Sequence, residues 1–391
     1  MYKVITVILL CCVSALHAEE PLAFADWLTQ LKAEAREVGI TSRTVELTFK
    51  HAQLLPRVVQ LDRSQPEFIS TFLSYISRRV NPSMVDKGRS MLQQHQALLD
   101  DVESQYGVPK QILVAFWGLE TNYGKVQGDF NLPSALMTLA YEGRRAEFFR
   151  NELFNLMRIV DAKHNTVSQM RGSWAGAMGH MQFMPSTFIR HGVDGDDDGR
   201  INLWGSLPDA FYSAANYLAK AGWQPLVPVA AQVSLPDSFD YAQAQLKKRK
   251  PVAEWVSLGV KVPDEWLALE NTAILLPQGR RGPAFIVSDN FDVVMDWNRS
   301  VNYALAVAHL TQQLSADSPI VLKAQVETEA LSFNQMWALQ GRLNELGFDS
   351  GKPDGFPGLK TQEAIRLYQA TENLPQDGYA SPSLYQRLLN N

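Results

Sequence analysis

Cysteine is nearly absent from this sequence of 391 residues, because the only two, Cys11 and Cys12, are adjacent and close to the N-terminus. The chain after residue 12 therefore has no thiol, which excludes disulfide bonds and thiolate catalysis there. A basic surplus is missing too, since the formal net charge is −5. Without cations to neutralise phosphates, nucleic acid is not a predicted partner.

A hydrophobic run of membrane-spanning length is also missing at the N-terminus. The apolar stretch over residues 4–16 has 13 residues, whereas a spanning helix needs about 20. Lys3 before the apolar stretch and Ala18 after it are typical of a secretory signal peptide over residues 1–18. Removal of this peptide also removes Lys3, which makes the net charge of the remaining chain more negative. Leucine instead of a small residue before Cys11 disfavours a lipoprotein anchor, which stays the alternative. We therefore predict an exported, soluble protein.

The composition is that of a globular protein, with 46% hydrophobic and 20% charged residues. Apolar residues recur at helical spacing over residues 24–222 and again over 301–314. Short apolar runs at 227–235, 273–276 and 284–287 predict a small β-rich insertion at about 224–297. A polar stretch at 316–330 is typical of a linker. The predicted fold class is mainly α, with two or three folding units.

The last residues, 331–391, contain a weak internal repeat. Two helical stretches each lead into an Asp-Gly pair, Asp354-Gly355 and Asp377-Gly378, where glycine permits a positive φ. This pattern predicts a small helical unit, too short to form a catalytic cleft.

Glu120 is the candidate catalytic acid. A helix that starts near Pro109 places Ile112, Phe116 and Glu120 on one face, and Gly124 follows its end. Apolar neighbours and the negative end of the helix dipole are both expected to raise the pKa of Glu120, as a general acid requires. The alternative is a solvated glutamate at a helix end.

The stretch 173–186 has the composition of a sugar-binding site. It combines small residues with aromatic, methionine and amide side chains, and apolar rings can cover sugar C–H faces while amides bind the hydroxyl groups. The alternative is a tightly packed junction of glycine and alanine.

Four segments together resemble the lytic transglycosylase B family of peptidoglycan-cleaving enzymes, and the match covers most of residues 24–315. The segments are Gly107-Val108-Pro109, Gly118-Leu119-Glu120-Thr121-Asn122-Tyr123-Gly124, residues 176–186 from Gly176-Ala177-Met178-Gly179 to Pro185-Ser186, and residues 215–223 from Ala215-Asn216-Tyr217 to Trp223. The resemblance implies a lysozyme-like helical catalytic domain over residues 19–315 in a periplasmic enzyme. It also implies an active site whose only acid/base is Glu120.

The resemblance also implies substrate-binding residues. The positions that match the family's cleft are Ser173, Gln182, Tyr217, Asn298 and Tyr303. Arg144 and Arg145 match a basic pair expected to meet peptide or carboxylate groups of the glycan strand. Phe148 stands where relatives carry tyrosine, so a hydroxyl contact is not expected there.

Ordinary glycosidases use two carboxylates, whereas the resemblance implies one, Glu120, and a reaction that consumes no water. By the resemblance, Glu120 protonates the bond between N-acetylmuramic acid and N-acetylglucosamine and then takes a proton from the muramoyl C6 hydroxyl, which closes a 1,6-anhydro ring. No cofactor is expected for catalysis. One alternative is a hydrolytic muramidase with Asp129 or Glu142 as second acid. The other is a non-catalytic wall-binding protein.

Residues 194–202 match the start of an EF-hand calcium loop. Asp194, Asp196 and Asp198 occupy positions 1, 3 and 5, and position 7, where EF-hands use a backbone carbonyl, is Arg200. Position 12 is glycine instead of glutamate, and Asp209 could replace it. These residues predict a structural Ca²⁺ site, and the alternative is a metal-free Asp/Gly turn.

Residues 331–391 resemble the peptidoglycan-binding domain of many wall enzymes, with the two Asp-Gly pairs in matching places. This implies a three-helix domain, although its glycan-binding residues cannot be named from the match. The predicted partners are peptidoglycan glycan strands and cell-wall synthesis or division proteins. The protein is expected to act as a monomer.

Overall fold

The structure is a computed structural model that describes residues 22–63, 70–317, 320–322 and 329–390. The predicted signal peptide lies outside the described residues, and so does part of the predicted linker. The elements up to the first strand are α1 Phe24–Glu37, α2 Ser42–Phe49, α3 Pro56–Arg63, α4 Phe72–Arg79, α5 Pro82–Gln94, α6 Gln96–Tyr106, α7 Lys110–Thr121 and β1 Phe130–Asn131. The next are α8 Leu132–Tyr141, α9 Ala146–Asp161, β2 Arg171–Gly172, α10 Pro185–His191 and α11 Leu207–Lys220.

Helix α7 forms the centre of the main helical unit. Nine of its residues are buried, so it is apolar on almost all sides, as expected for a helix surrounded by others. It packs against α5, α6, α11 and a later helix, α14 Val301–Ser315. The predicted mainly α fold class is confirmed, and Glu120 is half-buried near the end of this central helix.

The predicted β-rich insertion contains a three-stranded antiparallel sheet in the order β3-β5-β4, with β3 Ala230–Val233, β4 Ala273–Leu275 and β5 Ala284–Val287. Val287 pairs with Ala230 on one side and with Ala273 on the other. Two helices, α12 Val252–Ser257 and α13 Asp289–Trp297, also lie in this range. The last nine residues of the predicted insertion are thus helical, because the Ser288 side chain caps α13.

The C-terminal unit has three helices, as predicted, α15 Phe333–Glu345, α16 Leu359–Thr371 and α17 Pro382–Asn390. Its two halves contain the same kind of side-chain hydrogen bond, from a glutamine amide to an aspartate. The Gln340 amide nitrogen donates to Asp354 at 2.9 Å, and the Gln369 amide nitrogen donates to Asp377 at 2.7 Å. A buried glutamine therefore fixes each Asp-Gly turn.

The second of these turns contacts the insertion. The Asp377 carboxylate accepts a hydrogen bond from the Arg280 amide at 3.0 Å. Gly279 has φ +68°, and a Cβ there would lie 2.8 Å from the Tyr379 Cβ, so only glycine permits this close approach. Within the described residues, no helix combines the length and the apolar character needed to cross a membrane.

Candidate active site

Glu120 lies in the last turn of α7, as the sequence predicted. The helix ends because Asn122 adopts a left-handed conformation with φ 50°. The Thr121 hydroxyl donates to the His180 carbonyl at 2.9 Å and accepts from the Gly124 amide at 3.0 Å. These bonds tie the end of α7 to the loop that contains residues 173–184.

One oxygen of Glu120 accepts two hydrogen bonds from residues far along the chain. The Trp297 indole Nε1 donates to Glu120 Oε1 at 3.0 Å, and the Tyr303 hydroxyl donates to the same oxygen at 2.5 Å. Trp297 is the last residue of α13 and Tyr303 lies in the first turn of α14. The packing of α14 on α7 therefore fixes the orientation of the carboxylate.

Tyr303 lies beneath the carboxylate and not on the open surface, since it is only 3% exposed. Burial, followed by the negative charge of Glu120, raises the pKa of Tyr303 well above its ordinary value. Its hydroxyl consequently remains protonated and donates to Glu120 at any physiological pH.

Aromatic rings surround the Trp297 indole. Its ring centroid lies 4.4 Å from that of Phe116, 5.2 Å from that of Phe183 and 5.0 Å from that of Tyr217. Burial raises the pKa of Tyr217 as well, which keeps its hydroxyl protonated. The indole that donates to Glu120 is thus bordered by rings from α7 and α11 and from the loop before α10.

Ser173 and Gln182 lie on one tight loop between β2 and α10. The Ser173 amide donates to the Ala177 carbonyl at 2.9 Å, and the Ser173 hydroxyl accepts from the Ala177 amide at 2.9 Å. Met178 and Phe183 exchange two backbone hydrogen bonds, at 2.9 and 3.1 Å, which closes the turn that contains Gln182. Gln182 has φ 49° and donates from its side chain to the Gln127 carbonyl at 3.0 Å.

The His180 side chain connects this loop to α7 and to Gln127. The Trp117 indole donates to His180 Nδ1 at 2.9 Å, and Nε2 lies 3.3 Å from the Gln127 amide. Burial, aided by nearby His95, lowers the pKa of His180 to about 4. The imidazole is therefore neutral near pH 7, and its Nδ1 accepts the indole hydrogen of Trp117.

The other predicted substrate contacts are spread more widely. Asn298 is exposed and follows Trp297 directly. Arg144 and Arg145 both form ion pairs with Asp62, at 2.8 and 2.6 Å, and these hydrogen bonds and charges lower the pKa of Asp62 despite its burial. Phe148 is 46% exposed and packs edge-on against Phe149.

Trp297 is the site residue that the sequence did not reveal. It stands at the end of the predicted insertion, and nothing in the local pattern distinguishes it from the other eight tryptophans of the chain. Its contact with Glu120 spans 177 residues of sequence. The only available signal was its position immediately before Asn298.

The acidic loop brings carboxylates together from two segments. Oxygen atoms of Asp194, Asp196 and Asp209 all lie within 4.8 Å of one another. Burial raises the pKa of Asp209, which is 1% exposed, and nearby Asp196 adds to this effect. Asp198 accepts a hydrogen bond from the Arg200 amide at 2.8 Å, and both residues are exposed.

Comparison with known families gives a match over most of the chain. Residues 23–312 match the transglycosylase SLT domain family, and residues 334–388 match the putative peptidoglycan-binding domain family. The chain belongs to the transglycosylase SLT domain family. It is 32% identical over 252 residues to membrane-bound lytic murein transglycosylase B of Escherichia coli strain K12, and this alignment covers 62% of the chain and 67% of that protein.

Solved structures of transglycosylases resemble this chain over different lengths. The Pseudomonas aeruginosa protein SltB3, in complex with NAG-anhNAM-pentapeptide, is 40% identical with a TM-score of 0.89, over 94% of this chain and 99% of that one. The Escherichia coli lytic transglycosylase Slt35, in complex with calcium, is 29% identical with a TM-score of 0.65, over 74% of this chain and 92% of that one. The arrangement of the two units is therefore similar to that in SltB3.

Proposed function

We propose that this protein cleaves the β-1,4 bond between N-acetylmuramic acid and N-acetylglucosamine in peptidoglycan without water, leaving 1,6-anhydro ends. The observation that supports this most is the setting of Glu120, where two uncharged donors, Trp297 and Tyr303, hold one carboxylate oxygen. A carboxylate held by uncharged donors suits a group that gives a proton and later takes one back.

In the proposed reaction Glu120 donates its proton to the glycosidic oxygen, and the bond from that oxygen to C1 of the muramoyl residue breaks. The acetamido group of the substrate stabilises the positive charge that develops at C1. The Glu120 carboxylate then removes the proton from the C6 hydroxyl, and the C6 oxygen bonds to C1. Glu120 ends protonated, as it began, and no water is consumed.

The cleft residues named above have binding roles in this proposal. Ser173, Gln182 and Tyr217 lie on the loop and the helix that meet the aromatic cluster around Trp297, where sugar rings would stack. Asn298 follows Trp297 on the exposed side. Arg144 and Arg145 would meet peptide carboxylates, with Asp62 holding them in place.

A hydrolytic muramidase would instead need a second carboxylate to activate water. The two acids proposed for that role each form an ion pair with an arginine, Asp129 with Arg171 at 2.5 Å and Glu142 with Arg63 at 3.0 Å. Both acids therefore have a cationic partner in an exposed or partly exposed ion pair.

The mass of the products distinguishes the two reactions. Purified sacculi are digested with the full-length protein, and the soluble fragments are analysed by mass spectrometry. We expect muramoyl ends that are lighter by one water than reducing ends, because C6 and not water attacks C1. Reducing ends as the main product would contradict the proposal and favour hydrolysis.

We propose that the acidic loop binds a structural calcium ion through Asp194, Asp196 and Asp209. The donor set fits a hard cation, since all three groups are carboxylates and their oxygens converge within 4.8 Å. Three such charges repel one another unless a cation neutralises them. Asp198 and the backbone carbonyl of Arg200 would complete the site if the loop closes around the ion.

Calcium should therefore raise the melting temperature of the wild-type protein. At a concentration of 100 times its dissociation constant, an ion that binds only the folded state adds about 2.7 kcal/mol. We expect no such rise in Asp196→Asn, because one of the three converging carboxylates is lost. The measurement is thermal unfolding with and without calcium, after treatment with a chelator.

Asp197→Asn is the matched control for this experiment. Asp197 is the exposed neighbour of Asp196, lies outside the converging group and has φ 56°, a conformation that asparagine tolerates well. It should keep the response to calcium. Equal responses in the two variants, or none in the wild type, would argue for a metal-free turn.

We propose a signal peptide over residues 1–18, export to the periplasm, a catalytic domain over 19–315, a linker over 316–330 and a peptidoglycan-binding domain over 331–391. Tethering by the last unit would raise the local concentration of an insoluble substrate. The protein would act as a monomer beside cell-wall synthesis or division proteins.

A further inference from the structure

One oxygen of the Glu120 carboxylate, Oε1, faces two hydrogen-bond donors. Oε1 accepts from the Trp297 indole and from the Tyr303 hydroxyl, at 3.0 and 2.5 Å. An indole N–H can only donate, so the oxygen that faces it must accept in every protonation state. A neutral carboxylic acid has one oxygen that accepts and one that carries the proton.

We infer that Trp297 is a positioning residue that keeps Oε1 of Glu120 as the accepting oxygen, so that Oε2 carries the catalytic proton. This inference rests on the proposed role of Glu120 as acid and base. Tyr303 acts in the same direction, because its buried hydroxyl stays protonated. The carboxylate thus presents the same oxygen to the glycosidic bond at each turnover.

Packing makes the indole a rigid donor. Phe116 on α7, Phe183 before α10 and Tyr217 on α11 enclose its ring, with centroids 4.4, 5.2 and 5.0 Å away. The indole cannot rotate without displacing one of these rings. A fixed donor costs no reorganisation when the carboxylate becomes negative during the reaction.

The charged and titratable groups around the site come from several elements. Arg79 and Tyr75, from α4, act electrostatically on Tyr303, and Asp296 from α13 acts on Tyr217 together with Arg190 and Arg299. Arg79 also donates to the Leu119 carbonyl at 2.6 Å, beside Glu120. A change at Trp297 alone leaves all of these groups in place, so a shift in the pH profile reports on the lost indole donor.

The test is the substitution Trp297→Phe, which removes the donor and keeps an aromatic ring. Cleavage of soluble glycan strands by the full-length protein is measured as kcat and KM across pH. We expect kcat to fall about 10- to 100-fold with little change in KM, since one hydrogen bond to a charged group is lost. The alkaline limb of the pH–activity profile should move to a pH about one unit higher, because the Glu120 carboxylate loses a hydrogen-bond donor that favours its charged form.

Trp255→Phe is the matched control. Trp255 is fully buried in the insertion, and its indole donates to the Thr272 hydroxyl at 3.2 Å. The same chemical change there should lower the melting temperature without moving the pH profile. Tyr303→Phe removes the second donor and should shift the alkaline limb in the same direction, which keeps the inference testable if Trp297→Phe does not fold.

An unchanged alkaline limb in folded Trp297→Phe, or an effect confined to KM, would overturn the inference and leave Trp297 as a packing or sugar-stacking residue. A different result would contradict the proposed function. If Glu120→Gln retains full activity, the assignment of the acid is wrong. If Glu120→Gln is inactive while Trp297→Phe keeps the wild-type pH profile, only the role of Trp297 is wrong.

Discussion

Replacing Glu120 by glutamine is expected to lower glycan cleavage about 1,000-fold, because an amide can neither give nor take the proton that each step needs. The fold should persist, since the glutamine oxygen can still accept from Trp297 and Tyr303, as Oε1 does now. The measurement is release of soluble fragments from purified sacculi, together with the melting temperature.

Glu142→Gln is the control for Glu120→Gln. It changes the rival carboxylate in the same way, and Glu142 is paired with Arg63 and partly exposed. A surface ion pair of this kind contributes little to stability, so the variant should fold and remain active. Strong loss of activity in Glu142→Gln, with activity retained in Glu120→Gln, would reverse the assignment of the acid.

Replacing Glu152 by alanine is expected to lower the free energy of unfolding by about 2–4 kcal/mol, because two partly buried donors lose a charged, buried acceptor. Glu152 on α9 is 3% exposed and accepts from the Ser186 amide at 2.8 Å and the Ser186 hydroxyl at 2.6 Å. Helix α10 has no side-chain cap of its own, and Pro185 at its first turn donates no amide hydrogen. Glu152 therefore caps α10 from a neighbouring helix.

The free energy of unfolding of Glu152→Ala is measured by urea unfolding, with Glu147→Ala as the control. Glu147 lies in the first turn of the same helix but is exposed, so its loss should cost less than about 1 kcal/mol. Glu152→Ala should also weaken cleavage, because α10 begins directly after the loop that carries Gln182. Equal losses of stability in the two variants would contradict the capping role.

Local pattern accounts for the parts of the fold that were predicted correctly. The spacing of Ile112, Phe116 and Glu120 predicted α7 and placed Glu120 in its last turn, as the structure has it. The apolar runs at 273–276 and 284–287 coincide with strands β4 and β5. Helix α13 was missed, because its short run of apolar and acidic residues does not distinguish a helix from a strand.

The site depended more strongly on tertiary structure. The sequence named Tyr303 as a group lining the cleft, whereas its position under the carboxylate, 183 residues from Glu120, follows from the packing of α14 on α7. Arg144 and Arg145 were expected to meet the substrate, and the structure adds their shared partner Asp62. Such pairs have no local spacing from which they can be inferred.

The sequence by itself determined that this chain is a mainly helical wall-cleaving enzyme of a known family with a separate C-terminal unit. Helical periodicity and motifs are local features, so they can be identified from residues that are close together in the sequence. Only the tertiary structure decided which groups touch Glu120. The donors at positions 297 and 303 reach one carboxylate oxygen through the packing of α7, α13 and α14. Hydrogen bonds between distant segments depend on how helices pack, and packing is a property of the whole chain.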